Sequence, residues 1–181
     1  MIARFKDFEI NPVHNRDAWK ICDFVIANET RLKRYFPKTL EQNLNPTLSR
    51  FYVESKVKQF ENRELFLFTL KHSETRELAG LIILKELNWE IKQGEFAYCI
   101  GYTFEGQGLT SEAIQHLSKY AFNELGLETI QIIAHKANLQ SVKVALNNNF
   151  EWRKTLLNEF TPNGESPLDM ELYELRRTSK Y

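Results

Sequence analysis

Glu95-Phe-Ala-Tyr-Cys-Ile-Gly101, followed after Tyr-Thr-Phe by Glu105-Gly-Gln-Gly-Leu-Thr110, is the stretch that decides what this chain can be. Its first seven residues form a β-type run. From Leu109 to Leu125 the pattern turns helical, with Ile114, Leu117, Ala121 and Leu125 at spacings of three, four and four. Two glycines just before a helix let a ligand approach the backbone closely. The first-turn N–H groups, unpaired within the helix, then point at phosphate oxygens. A tight strand-to-helix turn asks for glycine just as readily, so the loop alone does not settle the matter. A nucleotide P-loop is disfavoured because no Gly-Lys-Ser/Thr follows. The dinucleotide fingerprint fails as well, lacking its third glycine and arriving after three antiparallel runs.

Upstream, Leu65–Lys71 and Glu77–Leu87 read as strands joined by the polar turn His72–Arg76, an antiparallel hairpin. Phe5–Ile10 reads as a first strand. A helix follows from about Asp17, its apolar positions Trp19, Cys22, Val25 and Ile26 at helical spacing. Asn28–Phe36 continues amphipathic until Pro37 closes it, and Thr47–Phe60 is a further helix with Phe51, Val57 and Phe60 available for a buried face. Downstream of Gly126, placed as a left-handed helix terminator, come a strand Thr129–His135 and a short helix Leu139–Asn148 with Val142, Ala145 and Leu146 inward. Asn149 ends that helix by its tolerance of positive φ. Strands Phe150–Phe160 and Asp169–Arg176 finish the chain around a Thr161–Pro167 turn. The order is α/β with a mixed sheet, not a doubly wound parallel one.

With 181 residues, 43% hydrophobic and 27% charged, the chain is expected to be one domain spanning 1–181 that stands without disulfides. Basic and acidic residues balance at 24 each, which argues against nucleic acid as the main partner. The apolar run Ala79–Leu84 is far short of the roughly 20 residues a membrane span requires, and no targeting segment is visible. A cytoplasmic protein with no membrane partner is the expectation. Cys22 and Cys99 read as reduced thiols. His14, His72, His116 and His135 show no ligand spacing, so no metal is expected.

The quoted stretch resembles the GNAT superfamily of acetyl-CoA-dependent N-acetyltransferases: Glu95–Gly101 is similar to the family's fourth strand, and Glu105-Gly-Gln-Gly-Leu-Thr-Ser-Glu-Ala113 to its pyrophosphate loop and third helix. Asn138-Leu-Gln-Ser141 leading to Asn149-Phe150 resembles the family's Asn-x-x-Ser…Gly-Phe segment. Asn28-Glu-Thr-Arg-Leu-Lys-Arg-Tyr-Phe-Pro37 is similar to the Rim-type branch, the ribosomal-protein N-terminal acetyltransferases. The resemblance runs from about Phe8 to Arg177. Two positions depart from it. Glu105 stands where Gln or Arg is usual, and a carboxylate beside a pyrophosphate is repulsive unless it points away or pairs with a cation. Thr110 replaces a small residue and adds a hydroxyl.

The resemblance implies a mostly antiparallel central sheet, splayed between its fourth and fifth strands, with helices on both faces. Acetyl-CoA, the acetyl donor, would add along Tyr98–Gly101 as an extra strand. Its carbonyl would meet a backbone N–H near Ile100, an oxyanion hole. Cofactor contacts would come from Ile100, Gly101, Glu105, Gly106, Gln107, Gly108, Leu109, Thr110, Ser111, Asn138 and Ser141.

An amine must be neutral to attack, so a general base is useful; Glu95 and Glu159 are the candidates. Many relatives place a tyrosine on the helix after Asn138, where this chain has Val144, Ala145 and Leu146. Ser141 is the alternative contact for the leaving thiolate. Asn138 and Ser141 also suit a plain helix cap. Arg31, Arg34 and Tyr35 are candidate acceptor contacts. The expected reaction is direct attack by a primary amine in a ternary complex. A protein N-terminus is the first acceptor to consider and a small amine the second, with the enzyme a monomer or homodimer. An acyl-CoA-binding module with little catalysis is the alternative, and an adaptor binding no cofactor the third reading.

Overall fold

The computed structural model describes residues 1–178. Eight strands form one sheet in the order β1-β2-β3-β4-β5-β6-β8-β7. They are β1 (Ala3–Phe5), β2 (Phe8–Pro12), β3 (Phe66–His72), β4 (Leu78–Asn88), β5 (Gln93–Ile100), β6 (Thr129–Ala134), β7 (Glu151–Phe160) and β8 (Leu168–Arg176). Six helices accompany them: α1 (Ala18–Ala27), α2 (Glu29–Tyr35), α3 (Pro37–Glu41), α4 (Pro46–Glu61), α5 (Leu109–Asn123) and α6 (Leu139–Asn147). The described residues group into two compact units, Met1–Ile83 with Tyr98–Leu109, and Leu84–Ala97 with residues 110–178.

In the first unit, the expected strand Phe5–Ile10 is a hairpin. Lys6 adopts φ 46° and turns the chain, so that Phe5 pairs with Phe8 and Ala3 with Ile10. A left-handed lysine carries no glycine signal, which is why one continuous strand is the natural reading of the sequence. β2 runs antiparallel to β3, from Phe8–His72 to Pro12–Phe68. β3 is buried without alternation from Phe66 to Lys71, the pattern of a strand covered on both faces. Phe60 of α4 meets Phe66 and Phe68 edge-on at 4.8 and 5.6 Å.

Helix α1 keeps the expected period but shifts its phase. Ile21, Cys22, Phe24 and Val25 are buried, whereas Trp19 and Ile26 are 59% and 49% exposed. More apolar residues lie on this helix than one stripe holds, so period alone cannot choose among them. On α4 the buried residues are Ser49, Tyr52 and Val53, and Phe51 is exposed. Pro37 begins α3 at its first turn, where its missing N–H is harmless, as well as ending α2.

In the second unit, β5 pairs in parallel with β6 from Gln93–Thr129 to Phe96–Ile132. β6 is antiparallel to β8, and β8 to the largely exposed β7. Ile114, Leu117 and Ala121 of α5 are buried as expected, joined by Phe122. Gly126 and Asn149 take φ 76° and 61°, the left-handed stops that the sequence predicts. Leu146, expected inward, is 55% exposed; Ala145 is the buried residue of α6. No helix among the described residues is long and apolar enough to cross a membrane.

One charged pair lies inside the first unit. Lys71 donates to Asp17 at 2.5 Å with both side chains more than nine-tenths buried, and Asp17 also accepts from the His14 backbone at 3.0 Å. Removing one partner strands a buried charge, which costs about 3 kcal/mol or more. Asp17→Ala is therefore expected to lower unfolding free energy by about 3 kcal/mol in urea melts, and a loss under about 1 kcal/mol would contradict this.

Candidate active site

The candidate residues begin where β5 ends. Gly101 donates its N–H to the Ala79 carbonyl at 2.8 Å, and Arg31 donates from Nη1 to the Ile100 carbonyl at 2.7 Å. Both polar groups of the Ile100–Gly101 peptide are thus held. The next amide, Tyr102 N–H, donates to Asn28 Oδ1 at 3.0 Å; Asn28 is buried and donates from Nδ2 to Phe24 O at 2.8 Å. Phe24, Asn28 and Arg31 are spaced four and three apart, one face running from α1 into α2. The close approach depends on small residues. A Cβ on Gly80 would lie 2.7 Å from the Cys99 carbonyl, and one on Gly101 would lie 3.3 Å from Phe24.

From this anchor a short turn, Tyr102–Phe104, leads to Glu105 and the two glycines. Gly106 and Gly108 take φ 73° and 75°, a conformation that side chains rarely adopt, and the space where a Cβ would stand is open at both. Open space beside successive N–H groups is what a pyrophosphate needs, so the loop fits the phosphate end of acetyl-CoA. The loop is braced from the amino-terminal hairpin. Phe104 meets Phe8 edge-on at 5.7 Å, Lys6 donates to the Gln107 carbonyl at 3.3 Å, and Gln107 Nε2 donates to Thr103 O at 3.1 Å. The Glu105 carboxylate, the departure noted in the sequence, forms an ion pair with Arg31. Leu109, the first residue of α5, is buried.

In the second unit, Ser111 of α5 accepts from Asn148 Nδ2 at 3.0 Å, which ties the first turn of α5 to the end of α6. Thr110 is half-buried beside it. Asn138 caps α6, its Oδ1 accepting from Ser141 N–H at 3.3 Å. Glu95, near the start of β5, is largely buried and pairs with Lys85 of β4 at 2.8 Å. Burial pushes its carboxyl above the ordinary value of 4.5; Lys85 pulls it down, and the charges of Glu86 and Glu159 add to the upward push. The structure therefore brings the two candidate bases within electrostatic reach of each other, with Glu159 exposed on β7. Lys85 escaped the sequence reading. The four-residue turn Trp89–Lys92 between β4 and β5 is the signal that brings residues 85 and 95 near one register position.

Cys99 packs against the core of the first unit, and burial pushes its thiol up to about 12. A neutral thiol is a poor acyl carrier. The Arg34 guanidinium lies over the Tyr35 ring, 5.5 Å from its centre. A cavity of about 370 Å³ opens beside Gly101–Phe104 against α1; its lining includes Trp19, Phe24, Asn28 and Arg76 of the first unit.

Residues 7–151 match the family of acetyltransferase (GNAT) domains. The chain belongs to that family. As a GNAT member it is an acetyl-CoA-dependent N-acetyltransferase. It is 28% identical over 128 residues to YdaF of Bacillus subtilis (strain 168), provisionally named a ribosomal N-acetyltransferase, covering 70% of this chain and 68% of that protein. It is 30% identical over 89 residues to the spermidine N(1)-acetyltransferase of Escherichia coli (strain K12), about half of each chain. Among solved structures, the ribosomal-protein-S5-alanine acetyltransferase from Vibrio fischeri superposes with a TM-score of 0.91 at 17% identity, covering 98% of this chain and 97% of that one. RimL, the ribosomal L7/L12 α-N-protein acetyltransferase, in complex with coenzyme A, superposes with a TM-score of 0.88 at 18% identity over 97% of both chains. These two share the GNAT fold with this chain.

The raised carboxyl of Glu95 links stability to pH. The folded state holds this proton more tightly than the unfolded chain, so its contribution is complete below the unfolded value of 4.5 and is lost as pH rises through the folded value. Glu95→Gln cannot ionise. Its stability relative to the unsubstituted protein should therefore improve between about pH 4 and about pH 7 in urea melts; an unchanged difference would contradict the burial of this charge.

Proposed function

We propose that this acetyltransferase transfers the acetyl group directly from acetyl-CoA to a primary amine in a ternary complex, with a protein N-terminal amine as the first acceptor class. The observation that carries the direct route is the contrast between Glu95 and Cys99. One is a desolvated carboxylate whose proton affinity is raised toward that of a useful base; the other is a neutral, packed thiol. Glu95 accepts the proton of the amine as its nitrogen bonds to the acetyl carbon and the C–S bond breaks. Ser141, on the first turn of α6, contacts the departing sulfur, and Glu159 is the alternative base. Gly106, Gln107, Gly108, Leu109 and Thr110 hold the pyrophosphate by backbone N–H groups, while Ile100 and Gly101 lie along the pantetheine end without lending it the Ile100 carbonyl or the Gly101 N–H, which are bonded within the chain. Ser111 and Asn138 complete the cofactor contacts.

The N-terminal acceptor rests on reach. The match to YdaF covers 70% of this chain, whereas the match to the spermidine enzyme covers 49%. A small polyamine-like amine is the second reading, carried by the higher identity of that shorter match. A single domain over 1–181 belongs to the same proposal, since the family match draws on residues of both units. So does a cytoplasmic enzyme working as monomer or homodimer without nucleic acid.

Acetyl-CoA-dependent thiol release, measured against peptides with free N-termini and against spermidine, tests this. Release with the peptides is expected, and Glu95→Gln should lower kcat about 100-fold. Saturable acetyl-CoA binding with no release from any amine would favour the acyl-CoA-binding module instead.

A further inference from the structure

Arg31 makes three contacts with one short segment. Nη1 donates to the Ile100 carbonyl at 2.7 Å, Nη2 pairs with the Glu105 carboxylate, and the guanidinium carbon lies 4.5 Å from the Tyr102 ring centre. Its side chain and that of Glu105 are 23% and 26% exposed, so solvent screens this pair only in part. The guanidinium therefore spans the turn from the last residue of β5 to the first residue of the glycine loop. A planar fork with five donors suits this double duty, whereas an ammonium keeps only the charge.

We propose that Arg31 is a positioning residue of the acetyl-CoA site, closing the Ile100–Glu105 turn and cancelling the carboxylate that would otherwise face the pyrophosphate. The inference rests on acetyl-CoA binding at the glycine loop. It also explains how Glu105 is tolerated where the family usually carries a neutral or basic side chain: the compensating cation comes from α2. Two of Arg31's nitrogens, Nη1 and Nη2, are thereby engaged by the chain's own groups.

The test is a double-mutant cycle read by calorimetric titration with CoA and with pantetheine, its phosphate-free fragment. Arg31→Gln should weaken CoA about tenfold and pantetheine no more than about twofold, because only CoA carries the phosphates that the freed carboxylate repels. Glu105→Gln in the same background should restore most of the CoA affinity. Arg31→Lys, which keeps the charge without the fork, should bind CoA within about threefold of the unsubstituted protein and serves if the Gln variant does not fold. Equal losses for both ligands, no rescue by Glu105→Gln, or a Lys variant as weak as the Gln variant would each overturn the inference. If the unsubstituted protein does not bind CoA, the reading beneath it fails instead.

Discussion

The end of β5 is fixed by one peptide unit whose two polar groups are both occupied: the Ile100 carbonyl by Arg31 and the Gly101 amide by Ala79. The Tyr102 amide, one residue on, goes to Asn28. Buried amides and carbonyls must find partners, so these bonds determine where the strand stops and the glycine loop starts. The arrangement requires the bend between α1 and α2. Asn28 sits at that bend and is itself held by the Phe24 carbonyl, so the two helices present Phe24, Asn28 and Arg31 to the strand end together. It also requires two positions without a side chain. Gly80 lets β4 lie against Cys99, and Gly101 lets the strand end lie against Phe24. A loop anchored in this way keeps its N–H groups in place before any ligand arrives, which limits the ordering that binding must impose.

The charged pairs differ in what surrounds them. Asp17 and Lys71 are enclosed on all sides and serve the fold of the first unit. Glu95 and Lys85 form a looser pair, with the lysine one-third exposed, and further carboxylates at Glu86 and Glu159 press on the same proton. Burial and two acidic neighbours make Glu95 hold its proton more tightly, and proton transfer chemistry uses such groups.

How much of this was legible in the sequence follows from the range of each interaction. Gly126 and Asn149 were readable because positive φ restricts residue choice at a single position. The stripe on α5 was readable because its apolar residues fit one face. The phase of α1 was not, since Trp19 and Ile26 satisfy the same period yet remain exposed. The hairpin at Lys6 was hidden because a left-handed lysine has no compositional mark. In the site, the loop and Glu95 were named from local pattern and family resemblance. Their ion pairs were not, because Arg31 and Glu105 meet only through the tertiary fold and Lys85 comes from the neighbouring strand. Glu105 was recognised as an electrostatic problem; its solution lay on a different helix.

The proposed phosphate site rests on the backbone N–H groups of the glycine loop, where Gly106 and Gly108 leave open space. Amide hydrogen exchange with and without saturating CoA observes those groups directly. Exchange at Gly106, Gln107, Gly108 and Leu109 should slow on CoA addition, because each N–H exchanges solvent for a phosphate oxygen. Saturable CoA binding with exchange unchanged at all four would contradict the backbone cradle and move the site elsewhere on the chain.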